Sequence, residues 1–351
     1  MRPEPARPPM RLATALRYAG DPRAAVDEVA GWEEAGLDIV WVAEAYGFDA
    51  PTRMGYLAAR TSRVQIGSAI MPLFSRTPAL IAQTAAGLDA VSGGRAILGL
   101  GASGPQVVEG WHGLPYDRPL ARTREIIGLC RKAWRREPLT GDGIYRLPLP
   151  PGAGTGLGKP LKMLTRPVRE HIPIYVAALG DANVRLTAEV ADGWLPFLYI
   201  PERAADVWGD ALHSGLSTRD SSLGPLEVVA GGPLAIGDDV TGLRELARPQ
   251  IALYIGGMGA KGRNFYHDLA TRYGFGAAAD RIQDLYLGGH KAEAAAAVPA
   301  ELLELTSLIG PESYVRERIA AFHESGVTVL NVLPIGPEPK RLLATVRSLI
   351  G

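Results

Sequence analysis

Cysteine is nearly absent from this 351-residue chain. The single Cys130 excludes an internal disulfide framework and a cysteine-based metal cluster, and it fits a reducing cytoplasmic compartment. Its helical spacing with Ile126, Ile127 and Trp134 predicts a packed core thiol. An excess of one charge is also missing, because Lys plus Arg and Asp plus Glu number 37 each. No net field therefore draws the chain to nucleic acid or to an anionic membrane, and a small-molecule partner is favoured, compatible with a homodimer. No apolar run reaches the roughly 18–20 residues that span a bilayer. The six histidines include no His-Glu-x-x-His, and no serine sits in Gly-x-Ser-x-Gly, which argues against a metal site and against serine hydrolase chemistry. The Arg- and Pro-rich opening, residues 1–10, is followed by no apolar segment of a secretory signal and is expected to be a flexible tail.

What the chain does have is alternation. Hydrophobic residues make up 47% of it, ample for a large core, and from residue 11 onward strand-like and helix-like segments take turns, as parallel sheets require. Strands are predicted at residues 12–16, 38–43, 64–71, 96–100, 174–177, 193–197, 228–236 and 327–333. Helix starts are punctuated by Asp21-Pro22 and Thr77-Pro78, a capping side chain followed by proline at the first helical position. Regularity lapses over about 137–171, rich in Pro and Gly, and over about 239–299, helical without a new strand. Both are expected as rim insertions on a single domain, 11–351. Eight strands with intervening helices predict a closed (β/α)8 TIM barrel, whose chemistry sits at the C-terminal ends of the strands, with an open Rossmann-like sheet as the alternative.

Two glycine patterns mislead. Gly99, Gly101 and Gly104 satisfy G-x-G-x-x-G, yet Pro105 follows at once and no acidic residue ends a second strand at the ribose-binding distance. Gly154 to Lys159 resembles a phosphate loop, but Ala153 and Pro160 occupy positions that a Walker motif gives to Gly and to Ser or Thr. The turn Gly101, Ala102, Ser103, Gly104 still stands at a strand end where bare backbone N–H groups can meet an anion, or where glycine merely serves a tight turn. Glu44, at the end of the second strand among Val42, Ala43 and Ala45, is the best general acid or base candidate, with a rim salt bridge as the alternative.

Several longer stretches then carry a resemblance. Residues 65–72, 76–79 with Gln83, and 88–95 running into 98–101 are similar to the luciferase-like flavin and deazaflavin oxidoreductases. Residues 101–113, 119–125, 156–162, 191–196, 254–259 and 264–266 resemble an actinobacterial group of that superfamily dependent on coenzyme F420. The resemblance implies a barrel whose third strand carries a non-prolyl cis peptide, between Ser68 and Ala69, backing the coenzyme ring. It implies that Gly101 to Gly104 and the turn Ala178, Leu179, Gly180 with Asn183 bind the phosphate-bearing tail. Many relatives have a histidine just after the acidic residue of strand two; Ala45 stands there instead, which shifts proton transfer towards Glu44. Leu73, Phe74, Trp111, His112, Tyr116, Phe197 and Tyr254 are expected to line the substrate side, with core packing as the alternative for each aromatic. The implied function is hydride transfer between coenzyme F420 and a small organic substrate carrying an activated C=C, C=N or C=O bond, or the reverse. FMN in a luciferase-like monooxygenase, and a non-enzymatic flavin-binding protein, are the competing readings.

Overall fold

The computed structural model describes residues 9–351. Of the expected tail, residues 1–8 lie outside the described residues, whereas Met10 is buried in the core and belongs to the folded body. The chain runs β1 (Arg11–Ala15), α1 (Pro22–Glu34), β2 (Ile39–Val42), α2 (Ala50–Arg60), β3 (Gln65–Ser68), β4 (Met71–Pro72), α3 (Pro78–Ser92) and β5 (Ala96–Gly101). A short α4 (Pro105–Gly110) and a long α5 (Pro119–Trp134) follow, then a hairpin of β6 (Gly141–Asp142) and β7 (Arg146–Leu147). The second half holds β8 (Ile174–Ala177), α6 (Asp181–Val190), β9 (Gly193–Leu195), α7 (Ala204–Ser217) and β10 (Glu227–Ile236). Six helices from α8 (Val240–Glu245) to α13 (Ala300–Leu305) precede β11 (Leu308–Gly310), α14 (Glu312–Glu324), β12 (Val329–Pro334) and α15 (Pro339–Ile350). Among the described residues no helix is long and apolar enough to cross a membrane.

Eight of these strands close on themselves in the order β1, β2, β3, β5, β8, β9, β10, β12, every pair parallel, with β12 returning to β1 through Arg11 opposite Val329. The (β/α)8 barrel predicted from alternation is the observed fold. The helix caps work as their sequence suggested: Asp21 accepts from the Arg23 N–H and Thr77 from the Leu80 N–H, each just ahead of a proline that can take no part in the ladder. Strand β2 is buried along its whole length, as a strand covered on both faces must be.

The barrel interior is filled in layers. Ala13, Ile39, Trp41, Ile97, Tyr175, Val229 and Val329 pack together as one apolar cluster inside the ring. Two aromatics of this size fit only because small residues face them. A Cβ on Gly67 would lie 2.2 Å from the Trp41 ring, and one on Gly193 would lie 2.5 Å from the Tyr175 ring. At the N-terminal mouth a polar layer closes the ring: Arg11 donates to Gln65 at 2.6 Å, to the Tyr175 hydroxyl at 3.1 Å and to Glu227 at 2.6 Å. The Tyr175 hydroxyl in turn donates to Glu227.

Strand β11 was not legible in the sequence. It joins the edge of β10 at Leu234–Ile236, the same edge that β9 occupies only at Glu227 and Val228. Between these two partners the ladder on that edge lapses, and the wall of the barrel opens towards the helices inserted after β10.

Candidate active site

The C-terminal ends of the strands ring a mouth whose architecture begins at β3. Ser68 pairs with Val42 of β2, and the Ala69 N–H still donates to the Val42 carbonyl at 2.8 Å. The peptide bond that follows, Ala69–Ile70, is cis. This corrects the expected Ser68–Ala69 position by one residue, because strand hydrogen bonding runs one residue past Ser68 before the chain turns. Ser68 is itself fully buried, its hydroxyl bridging the carbonyl and N–H of Gly99 at 2.8 and 2.9 Å. Its side chain therefore knits β3 to β5 and does not face the mouth. A side chain at Gly99 is impossible here, since its Cβ would sit 1.7 Å from the Ser68 carbonyl oxygen. After the cis bond β4 pairs with Leu100 and Gly101, and the Leu73 N–H donates to the Gly101 carbonyl at 3.0 Å. A Cβ on Gly101 would press on Ile70 at 2.7 Å, so bulge and glycine loop are fitted to each other.

Beyond Gly101 the turn Ala102, Ser103, Gly104 leads into α4, with Ser103 in the left-handed region at φ 60°. On the neighbouring strand β8, Ala178, Leu179 and Gly180 lead into α6. Gly104 and Gly180 are the N-caps of these helices, and neither start carries a side-chain cap. The ten-residue α6 thus presents unsatisfied N–H groups and the positive end of its dipole to the mouth. The α6 turn is held by indoles at its back, Trp194 donating to the Ala178 carbonyl at 2.9 Å and Trp208 to that of Leu179 at 2.8 Å. Asn183 donates to the Ala177 carbonyl at 3.3 Å, while its Oδ1 is buried and has no partner among the described residues. Asp181, in the first turn, is drawn aside by Arg272 at 2.7 Å. Adjacent strands therefore bring the two predicted coenzyme loops side by side.

Glu44 lies at the end of β2 as predicted, and its side chain is 7% exposed. Both its oxygens are occupied: Arg76 donates to Oε1 at 2.5 Å and to Oε2 at 2.9 Å, and the Ala50 N–H that begins α2 donates to Oε2 at 2.7 Å. The geometry is a bidentate ion pair that ties β2 to the loop after β4, the arrangement left open as the alternative for this residue. Arg76 was quoted as part of a motif but not singled out; its separation of 32 residues from Glu44 hides the pair from any local pattern.

The predicted substrate aromatics divide into three groups. Phe74 is buried, stacked on Tyr116 at 5.4 Å between centroids and covered by the Arg122 guanidinium, so it packs the wall behind the mouth. Burial raises the Tyr116 phenol above its ordinary value. Trp111 is exposed on the rim and meets the equally exposed Tyr46, which sequence reasoning missed, at 6.5 Å. His112 beside it is half-buried, and its Nε2 is enclosed with no partner among the described residues. Phe197 and Tyr254 meet at 4.1 Å, with Tyr266 against both, across the opening between β9 and β10. Leu73 is fully buried. Asn331 on β12, another unforeseen residue, lines the same opening with a buried Oδ1 that has no partner among the described residues. A signal for it was present: an amide in the otherwise apolar run Val329-Leu330-Asn331-Val332-Leu333.

Comparison with known proteins places this architecture. A family model described as luciferase-like monooxygenase matches residues 8–329. The "Putative coenzyme F420-dependent oxidoreductase Rv3520c" of Mycobacterium tuberculosis is 42% identical over 343 residues, which cover 96% of this chain and 99% of that protein. A 5,10-methylenetetrahydromethanopterin reductase of Archaeoglobus fulgidus is 27% identical over 322 residues, 90% of either chain. Among solved structures, the coenzyme F420-dependent tetrahydromethanopterin reductase of Methanopyrus kandleri superposes with a TM-score of 0.77 at 21% identity, over 97% of each chain, and shares the fold.

Proposed function

This chain belongs to the luciferase-like monooxygenase family, and from that premise we propose that it is an oxidoreductase dependent on coenzyme F420, acting on a small organic substrate. The observation that carries this reading is 42% identity along practically the whole of both chains to a relative named for that coenzyme. The residues at the mouth fit such a group. A phosphate-bearing tail needs N–H donors without competing side-chain caps, and α6 begins with them. The buried, unpartnered Oδ1 of Asn183 calls for a donor from outside the chain.

In this reading Gly101, Ala102, Ser103 and Gly104, with Ala178, Leu179, Gly180 and Asn183, hold the tail, and the bulge at Ala69 and Ile70 forms the wall for the ring. The deazaflavin supplies hydride transfer when bound. The chain's own residues position and shield. The Glu44–Arg76 pair fixes the loop after β4, and the Phe74–Tyr116 stack keeps water from its back. With both oxygens of Glu44 engaged, His112, whose enclosed Nε2 has no partner among the described residues, is a second candidate beside Glu44 to hold or pass a proton.

Titration of the protein with coenzyme F420 and, separately, with FMN tests the reading. Micromolar or tighter binding of F420 with weaker FMN binding is expected, and tight FMN binding with no F420 binding overturns it. Reduced coenzyme that is bound but never reoxidised by any unsaturated or carbonyl compound would favour a carrier over an enzyme.

A further inference from the structure

The opening between β9 and β10 is a small recess of about 50 Å³. In the ring of eight strands β10 stands four places from β3, so the pocket faces the Ala69–Ile70 bulge across the barrel mouth. Pro196 to Tyr199 wall one side, and Gly231 and Gly232 of β10 form a bare floor, where a side chain would collide with the Asn331 and Thr306 backbones at 2.2 and 2.1 Å. Gln250 and Tyr254 from the helical insertion cover the top.

Its chemistry is distinctive. Among the described residues, none of the fifteen that line it is Lys, Arg, His, Asp or Glu. The Tyr254 phenol is held neutral by burial, which raises it above its ordinary value. The polar side chains of the lining are amides and hydroxyls; the Tyr199 and Thr306 hydroxyls already donate to Ser325 and Leu302, whereas Asn331 Oδ1 is buried with no partner among the described residues. A buried amide oxygen without a donor costs free energy that a ligand donor would recover. A charged ligand gains nothing here, because an ion taken out of water without a counter-charge is strongly disfavoured. The half-buried rings of Phe197 and Tyr254 supply the aromatic part of the lining.

We infer that this recess of about 50 Å³ takes one end of the substrate, an uncharged group with a hydroxyl or N–H donor bonded to Asn331 Oδ1, while the flat apolar body of the molecule lies outside it in the mouth. A phosphate or carboxylate placed in this recess would lose its water and find no counter-charge. The inference rests on the oxidoreductase reading for the word substrate, and on the lining alone for the ligand class.

Cinnamyl alcohol and cinnamate share a skeleton and differ in charge, so their binding to the full chain, measured by calorimetry and ligand-observed NMR, is the test, with glucose 6-phosphate as a second anion. The alcohol is expected to bind at least tenfold more tightly than either anion. Asn331→Leu should weaken the alcohol three- to tenfold, the worth of one hydrogen bond. Gln250→Lys, a change on the insertion that leaves the barrel strands untouched, should raise cinnamate affinity about tenfold. Equal or tighter binding of an anion overturns the inference. So does an alcohol that fails to bind at about 10 mM, or one that Asn331→Leu binds as well as the natural chain does. Coenzyme F420 is titrated in parallel by its own absorbance. Its failure to bind overturns the cofactor reading and leaves the alcohol-over-anion preference standing, whereas F420 binding together with tight anion binding overturns the pocket alone.

Discussion

Replacing Arg76 by Met isolates a carboxylate in the wall of the mouth. Glu44 and Arg76 have side chains 7% and 13% exposed, and the guanidinium contributes two of the three donors that Glu44 receives. Removing one partner from a buried pair costs about 3–5 kcal/mol, most of it the penalty of an uncompensated charge. Glu44→Gln keeps an acceptor for the Ala50 N–H but leaves Arg76 facing an amide, at a cost of about 1–3 kcal/mol. The double variant holds no stranded charge, so its loss should fall short of the summed single losses by about 2 kcal/mol. Urea unfolding of the four proteins, followed by tryptophan fluorescence, measures that coupling. A value below about 0.5 kcal/mol would refute the pair as a structural tie. The same variants separate two roles. If Glu44 only positions the loop, Glu44→Gln and Arg76→Met lower coenzyme affinity together. If it carries a proton, Glu44→Gln alone slows turnover by roughly 10²–10⁴, with Arg76→Met near the natural rate.

Gly67→Ala would drive a methyl into the Trp41 ring, and a destabilisation of about 1–3 kcal/mol is expected, partly reversed by adding Trp41→Phe; an unchanged unfolding midpoint would contradict the layered interior. Gly101→Ala, pressing on Ile70, should weaken F420 binding at least tenfold and destabilise the fold by about 1–3 kcal/mol, and undiminished affinity of the folded variant would remove this loop from the coenzyme site. Burial pushes the Cys130 thiol up to about 12 from an ordinary value near 9. The folded value lies above the unfolded one, so the stabilisation is fully present below about pH 9 and is lost as pH rises towards 12. The natural chain should lose about 1.4 kcal/mol per pH unit in that window relative to Cys130→Ala. Parallel stability curves for the two proteins would argue against this burial.

Much of the barrel was legible because its signals are local. The apolar run over β2 and the Asp21-Pro22 and Thr77-Pro78 caps each announce an element within a few residues, and all eight barrel strands lie where such signals put them. Strand β11 was hidden because three residues after a helical insertion carry no period, and only the free edge of β10 gives them a role. The site was less legible, since its decisive contacts join distant segments. Glu44 was placed at the mouth correctly, but its partner Arg76 follows only from the fold. Phe74 looks like a pocket aromatic until Tyr116 and Arg122 are seen to cover it. The cis bond fell one residue later than resemblance implied because Ala69, a residue without chemistry of its own, still pairs with β2.

The polar layer of Arg11, Gln65, Tyr175 and Glu227 gives the barrel a floor. With that floor and a filled interior the barrel offers no passage from end to end. Coenzyme and substrate alike must come and go on the side of the strand ends, so the two compete for approach to a single face of the molecule.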